Sequence, residues 1–145
     1  MTTDEIKYSR PESSLSDVEI KSIRDNIFLH EEDIVIWKET QYLSKNTIKI
    51  SFKKLKELTS SMKNFYLIVD LSDSKRPDME YIKILKTGMH EMTERGMLGI
   101  YIFFEKNIMF RSIARYVAAR IGIPVFSVKK TREEVINDIC KRKNQ

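Results

Sequence analysis

Two stretches and a few isolated side chains could do chemistry. The first stretch is Leu67-Ile68-Val69-Asp70-Leu71-Ser72-Asp73-Ser74, where an apolar run ends in a carboxylate followed by two hydroxyls. An aspartate at such a point can hold a cation or accept N–H groups from the turn after it, and the turn role is the one this residue type favours. Ser72 and Ser74 flank Asp73 and offer hydroxyls for phosphorylation, which would add about −2 charge near the start of a helix. The same residues also serve ordinary turn chemistry.

The second stretch is Pro77-Asp78-Met79-Glu80-Tyr81-Ile82-Lys83. Asp, Glu and Lys together suggest a metal-dependent nuclease, but that chemistry needs Glu and Lys one residue apart on a strand. Glu80 and Lys83 are three apart on a predicted helix, the spacing of a surface ion pair. His30 and His90 have no metal-ligand spacing, and with only one cysteine, Cys140, no disulfide within the chain and no multi-cysteine zinc site can form. No serine or cysteine stands in a strained turn beside a histidine, so hydrolase chemistry has no visible nucleophile. The four glycines, Gly88, Gly96, Gly99 and Gly122, make no phosphate-binding loop. The expectation is a protein without catalysis, metal or cofactor.

Positioning those residues requires a sheet and helices, and the hydrophobic periodicity supplies both. Residues 1–16 are polar, with Pro11 and a serine cluster, and read as a flexible tail before a single domain over 17–145. Val18–Arg24 reads two ways. Ser16 and Glu19 would cap a short helix, whereas the alternation Val18-x-Ile20-x-Ser22 favours an edge strand. Ile27–His30 and Ile34–Trp37, split by Glu31-Glu32-Asp33, predict a hairpin. Ile48, Phe52, Leu55, Leu58 and Met62 recur at helical spacing behind the cap candidate Asn46, with lysines on the opposite face.

Phe65–Leu71 and Met97–Phe104 are apolar runs of the kind found in strands covered on both faces. Between them, Pro77 opens a helix that buries Ile82, Leu85, Met89 and Met92 and stops at Gly96. Asn107 caps a further helix with the stripe Phe110, Ile113, Ala114, Val117 and Ile121, closed by Gly122 and Pro124. Val125–Val128 is the last strand, and Thr131 with Glu134 caps a final helix that buries Val135, Ile136 and Ile139. Strands that alternate with helices are parallel with right-handed crossovers. The fold class is therefore α/β: a mixed sheet with an N-terminal hairpin, then alternating helices and parallel strands. Function then belongs at the carboxyl ends of those strands, by Leu71 and Phe104.

The formal net charge is +5, from 26 basic and 21 acidic residues. The cations are dispersed among the acids, so Lys53-Lys54-x-Lys56 and the terminal Lys141-Arg142-Lys143 read as solvated faces and a tail. Nucleic acid is the less favoured partner. A content of 41% hydrophobic and 32% charged residues is that of a globular protein with a core. No apolar stretch approaches the roughly 18 residues of a membrane span, and the start lacks a signal-peptide core. A cytoplasmic protein is expected.

This order of elements resembles the STAS domain, shared by sulfate transporters and anti-sigma factor antagonists, over about Val18 to Lys143. The local match is Leu67-Ile68-Val69-Asp70-Leu71-Ser72, since the family has an apolar strand ending in Asp-Leu-Ser. Asp78 stands eight residues after Asp70, where the family repeats an aspartate ahead of its phosphorylatable serine. The usual Asp-Ser-Ser-Gly reads Asp78-Met79-Glu80-Tyr81 here, so the serine is missing and Glu80 falls near its place. The chain is thus similar to the divergent branch often grouped with lipid-binding SEC14-like proteins.

The resemblance implies a regulatory module of bacterial signalling that binds another protein, such as a regulatory kinase, an anti-sigma-like protein or a sensor. The expected surface comprises Ser72, Asp73, Ser74, Asp78, Met79, Glu80, Lys83, Asn107 and Met109. Two other readings remain: a small-molecule or lipid binder with a pocket between helices and sheet, and a nucleic-acid binder using Lys53, Lys54, Lys56 and the C-terminal basic residues.

Overall fold

The computed structural model describes residues 15–39, 45–72, 79–104, 119 and 125–144. The elements are α1 (Asp17–Asp25), β1 (Ile27–Glu31), β2 (Ile34–Lys38), α2 (Lys45–Thr59), β3 (Phe65–Asp70), α3 (Met79–Glu94), β4 (Met97–Phe103), β5 (Val125–Lys129) and α4 (Arg132–Lys143). Most of the predicted N-terminal tail, the loop after Ser72, Pro77 and Asp78 at the expected start of the next helix, and all but residue 119 of the helix expected behind Asn107 lie outside the described residues.

The fold is α/β, as expected. The sheet runs β1-β2-β3-β4-β5. The hairpin β1–β2 is antiparallel and every later pairing is parallel. Each parallel crossover therefore advances the sheet by one strand in the same direction. With a fixed hand of crossover, successive connecting helices fall on the same face. α2 and α3 do so, over Val35, Trp37, Phe65, Leu67, Val69, Ile100 and Ile102. α4 covers the opposite face, packing Val135 and Ile139 on Ile34, Ile36, Ile68 and Phe103. Burial on both faces explains why β3 is apolar along five of its six positions.

Val18–Arg24 belongs to a helix, not to the edge strand the alternation suggested. Ser16 Oγ accepts from the N–H of Glu19 at 3.1 Å, and the Glu19 carboxylate reaches back to the N–H of Ser16. Val18, which a strand would have half-buried, is 79% exposed, whereas Ile23 is buried. The capping box satisfies N–H groups that a lone edge strand would leave to water. Arg24 then pairs with Glu57, tying α1 to α2.

Other boundaries moved slightly. α2 starts at Lys45, so Asn46 lies one residue inside rather than capping, and the helix stops at Thr59, short of Met62. Leu85 is only partly buried; Tyr81 occupies the buried position at the start of α3 instead. Thr131 caps α4 as predicted, accepting from the N–H of Glu134 at 3.2 Å. Lys141, Arg142 and Lys143 form the last turn of α4 rather than a tail.

Two glycines are required by close approach. Gly96 has φ +116°, and a Cβ there would stand 2.1 Å from the Lys63 carbonyl oxygen, so only glycine turns the chain from α3 into β4. At Gly88 the α3 backbone lies against the Phe52 ring, and a Cβ would sit 2.3 Å from Phe52 Cζ. Phe52 is itself held edge-on against Trp37, with centroids 5.0 Å apart. Alanine favours a helix interior by about 1 kcal/mol over glycine. Even so, Gly88→Ala should destabilise the protein by about 1–3 kcal/mol, because the ring must give up its edge-on contact with Trp37 to make room. Urea unfolding measures the difference; a variant as stable as the parent would mean that Phe52 can move aside.

Candidate functional site

The parallel strands end together. Lys38, Asp70 and Phe103 are in register across β2, β3 and β4, so the residues after them share one edge, and α3 begins there. Backbone bonds knit the edge: the Glu39 N–H donates to the Asp70 carbonyl at 3.0 Å, and the Leu71 N–H to the Phe103 carbonyl at 2.9 Å. Asp70 is buried, and its Oδ1 accepts the N–H of Ser72 at 2.9 Å. This is the turn role that the residue type favoured.

Glu39 is the unexpected member of this edge. It stands two positions after Trp37, beyond Lys38 at the end of β2, and projects to the same side as Trp37, under the α2–α3 layer. The Tyr81 hydroxyl, from the first turn of α3, donates to Glu39 Oε2 at 2.6 Å, and Trp37 also hydrogen-bonds the carboxylate. Glu39 is only 6% exposed. Burial pushes its carboxyl up to about 7, although both hydrogen bonds favour the ionised form. Burial and the neighbouring carboxylate raise the Tyr81 phenol well above its ordinary value. The pair holds its phenolic proton firmly and leaves the carboxyl near half-ionised at neutral pH. Such a group is where acid–base chemistry would be sought, but here the carboxyl is closed off and bonded to two donors. Its structural effect is to pin the start of α3 to the end of β2.

The expected surface is partly visible. Ser72 is half-buried behind Asp70, and Glu80 is exposed in the first turn of α3. Met79 opens α3, but its side chain lies outside the described residues, as do Asp73, Ser74, Asp78, Asn107 and Met109. Lys83 carries no salt bridge among the described residues, so the predicted Glu80–Lys83 pair is not formed. Instead Lys83 lines a groove between α3 and α2. His90 is exposed.

Sequence reasoning passed over Glu39, Tyr81 and the role of Trp37. The available signal was an acid directly after an apolar strand, the same pattern that drew attention to Asp70. Of the cations considered for nucleic acid, Lys56 is held by Glu91 at 2.9 Å. Lys143 bonds Asp33 at 2.6 Å and lies 5.6 Å from the Tyr66 ring centroid. These contacts use two of those cations within the fold.

Among the described residues no group of three or more His, Cys, Asp or Glu is placed to hold a metal, and no helix is long and apolar enough to cross a membrane. No protein-family model, curated protein or solved structure matches the chain.

Proposed function

We propose that this chain is a non-enzymatic regulatory module of the cytoplasm that binds another protein through the carboxyl edge of its parallel sheet, in the manner of the STAS antagonists it resembles. The observation that carries the reading is Glu80, exposed in the first turn of α3 at that edge, where the antagonists have their phosphorylatable serine. A carboxylate is favourable there because the first-turn N–H groups and the helix dipole are positive. Glu80 thus fixes a negative charge where the family has a switchable one. Binding is then constitutive, or controlled through the partner or through phosphorylation of Ser72 or Ser74. The partner class is a regulatory kinase, an anti-sigma-like protein or a sensor.

Capture from native lysate at two salt concentrations identifies the partner, and Glu80→Ser and Glu80→Gln then test the charge. Both variants should fold normally and change partner affinity by about three- to tenfold, the range of an exposed interfacial charge. Glu80→Gln should flatten the salt dependence. If both bind the partner as the parent does, Glu80 is only a helix-start residue.

A further inference from the structure

The groove between α2 and α3 holds about 550 Å³. Its floor is apolar, made by Phe52, Ile84 and the bare backbone at Gly88. Its walls carry four lysines: Lys49, Lys53 and Lys56 from α2, and Lys83 from α3. Lys49, Lys53 and Lys56 stand at helical spacing on the flank of α2 beside its buried stripe, so their stems line the groove and their ammonium groups rim it. One acid, Glu91, shares this wall, and it is engaged by Lys56 at 2.9 Å and by Arg95 at 3.7 Å. Lys49, Lys53 and Lys83 make no salt bridge among the described residues.

We infer that this groove takes an acidic peptide segment of a partner protein, seating one apolar side chain on Phe52 and Ile84 between carboxylates that meet the lysines. The site is distinct from the carboxyl edge and does not depend on Glu80. Charge complementarity selects an anion, and the shape selects among anions. At about 1.5 Å rise per residue, Lys49 to Lys56 spans roughly 10 Å, the length of about three residues of extended peptide. Phe52 is 6% exposed and meets Gly88 with its ring edge, so no ring face is offered for stacking a base. A flat lipid surface would meet the lysine rim without reaching the apolar floor, which an inserted side chain can reach. Lysines also act as separate point charges on flexible stems, unlike the bidentate arginine fork that suits phosphate.

Fluorescence anisotropy on the full chain tests the assignment with a labelled peptide in which leucines alternate with pairs of glutamates. The comparators are the same peptide with glutamines, oligothymidylate, and phosphatidylcholine vesicles containing phosphatidylserine. The acidic peptide should bind at low salt, and the glutamine peptide about tenfold more weakly or worse. Lys49→Glu with Lys53→Glu should lose about tenfold, whereas Lys130→Glu with Lys141→Glu, an equal charge change elsewhere, should lose less than about twofold. Thr87→Trp, which fills the groove without changing charge, should also weaken binding. All five positions are exposed, and far-UV circular dichroism checks each fold. The inference is overturned if the acidic peptide does not bind at low salt, or if both charge-reversed pairs lose affinity equally. It is also overturned if Thr87→Trp binds as the parent does, or if oligothymidylate or the anionic vesicles bind more tightly through Lys49 and Lys53.

Discussion

Glu39→Gln should make the protein more stable than its parent above neutral pH and leave it nearly unchanged at pH 4. In the folded chain the Glu39 carboxyl is raised from an ordinary 4.5 to about 7. A raised folded value means that the native state prefers the protonated acid. The stability this contributes is fully present below about 4.5 and is lost as pH climbs through about 7. Each tenfold change in proton affinity is worth about 1.4 kcal/mol, so the loss amounts to roughly 3 kcal/mol. Glutamine stays neutral and keeps an oxygen for Tyr81, so its stability should not fall over that window. Urea unfolding of parent and variant side by side, between pH 4 and pH 8.5, measures the difference, in which groups common to both cancel. Parallel pH curves would show that Glu39 stays ionised and comfortable in the fold. The exposed pairs move in the other sense: Glu57, held down by Arg24, and Glu91, held down by Lys56, weaken their contribution only at acid pH.

A larger cost is expected at Trp37, which is 2% exposed and sits between Phe52 and Glu39. Trp37→Ala should lose about 3–5 kcal/mol, from apolar burial and from the cavity left under α2. It also removes one of the two donors to Glu39, so the Glu39 carboxyl should rise further and the fall in stability with pH should steepen. Trp37→Phe separates the two effects: it keeps most of the packing and should lose about 1–2 kcal/mol for the missing N–H. Trp37 is the chain's only tryptophan, so far-UV circular dichroism rather than fluorescence must follow the unfolding. A loss below about 1 kcal/mol for the alanine variant would mean that the β2–α2 contact is not the centre of this core.

These two sites bear on both binding surfaces because they act through α3. Tyr81 fastens the first turn of α3 to Glu39, and one residue earlier in the same turn is Glu80. Farther along, Lys83, Ile84 and Gly88 form one wall of the lysine groove. Loosening the Tyr81–Glu39 contact would shift the placement of Glu80 at the edge more than it would shift Gly88, which is held by Phe52.

The apolar runs of β2, β3 and β4, the stripe of α3 and the Thr131 cap were legible because each is a local, periodic pattern. A residue buried on both faces of a sheet must be apolar whatever lies beyond it, and a cap needs only its own turn. Asp70 was legible for the same reason, since its partner is two residues away. The segment at Val18–Arg24 was misread because seven residues with three apolar positions, Val18, Ile20 and Ile23, are too few to separate the two periods. The choice fell to the Ser16–Glu19 box and to the burial of Ile23. Glu39 was legible only as an acid at the end of a strand; its burial and its partner could not be read from the sequence. It is buried only because the β2–α2–β3–α3 winding brings Tyr81 to it from 42 positions away, and a carboxyl's proton affinity is set by that surrounding, not by its neighbours in the chain. The same holds for the groove. Each lysine on α2 reads alone as a solvated face, and only the packing of α3 alongside makes them the wall of a concave, basic surface.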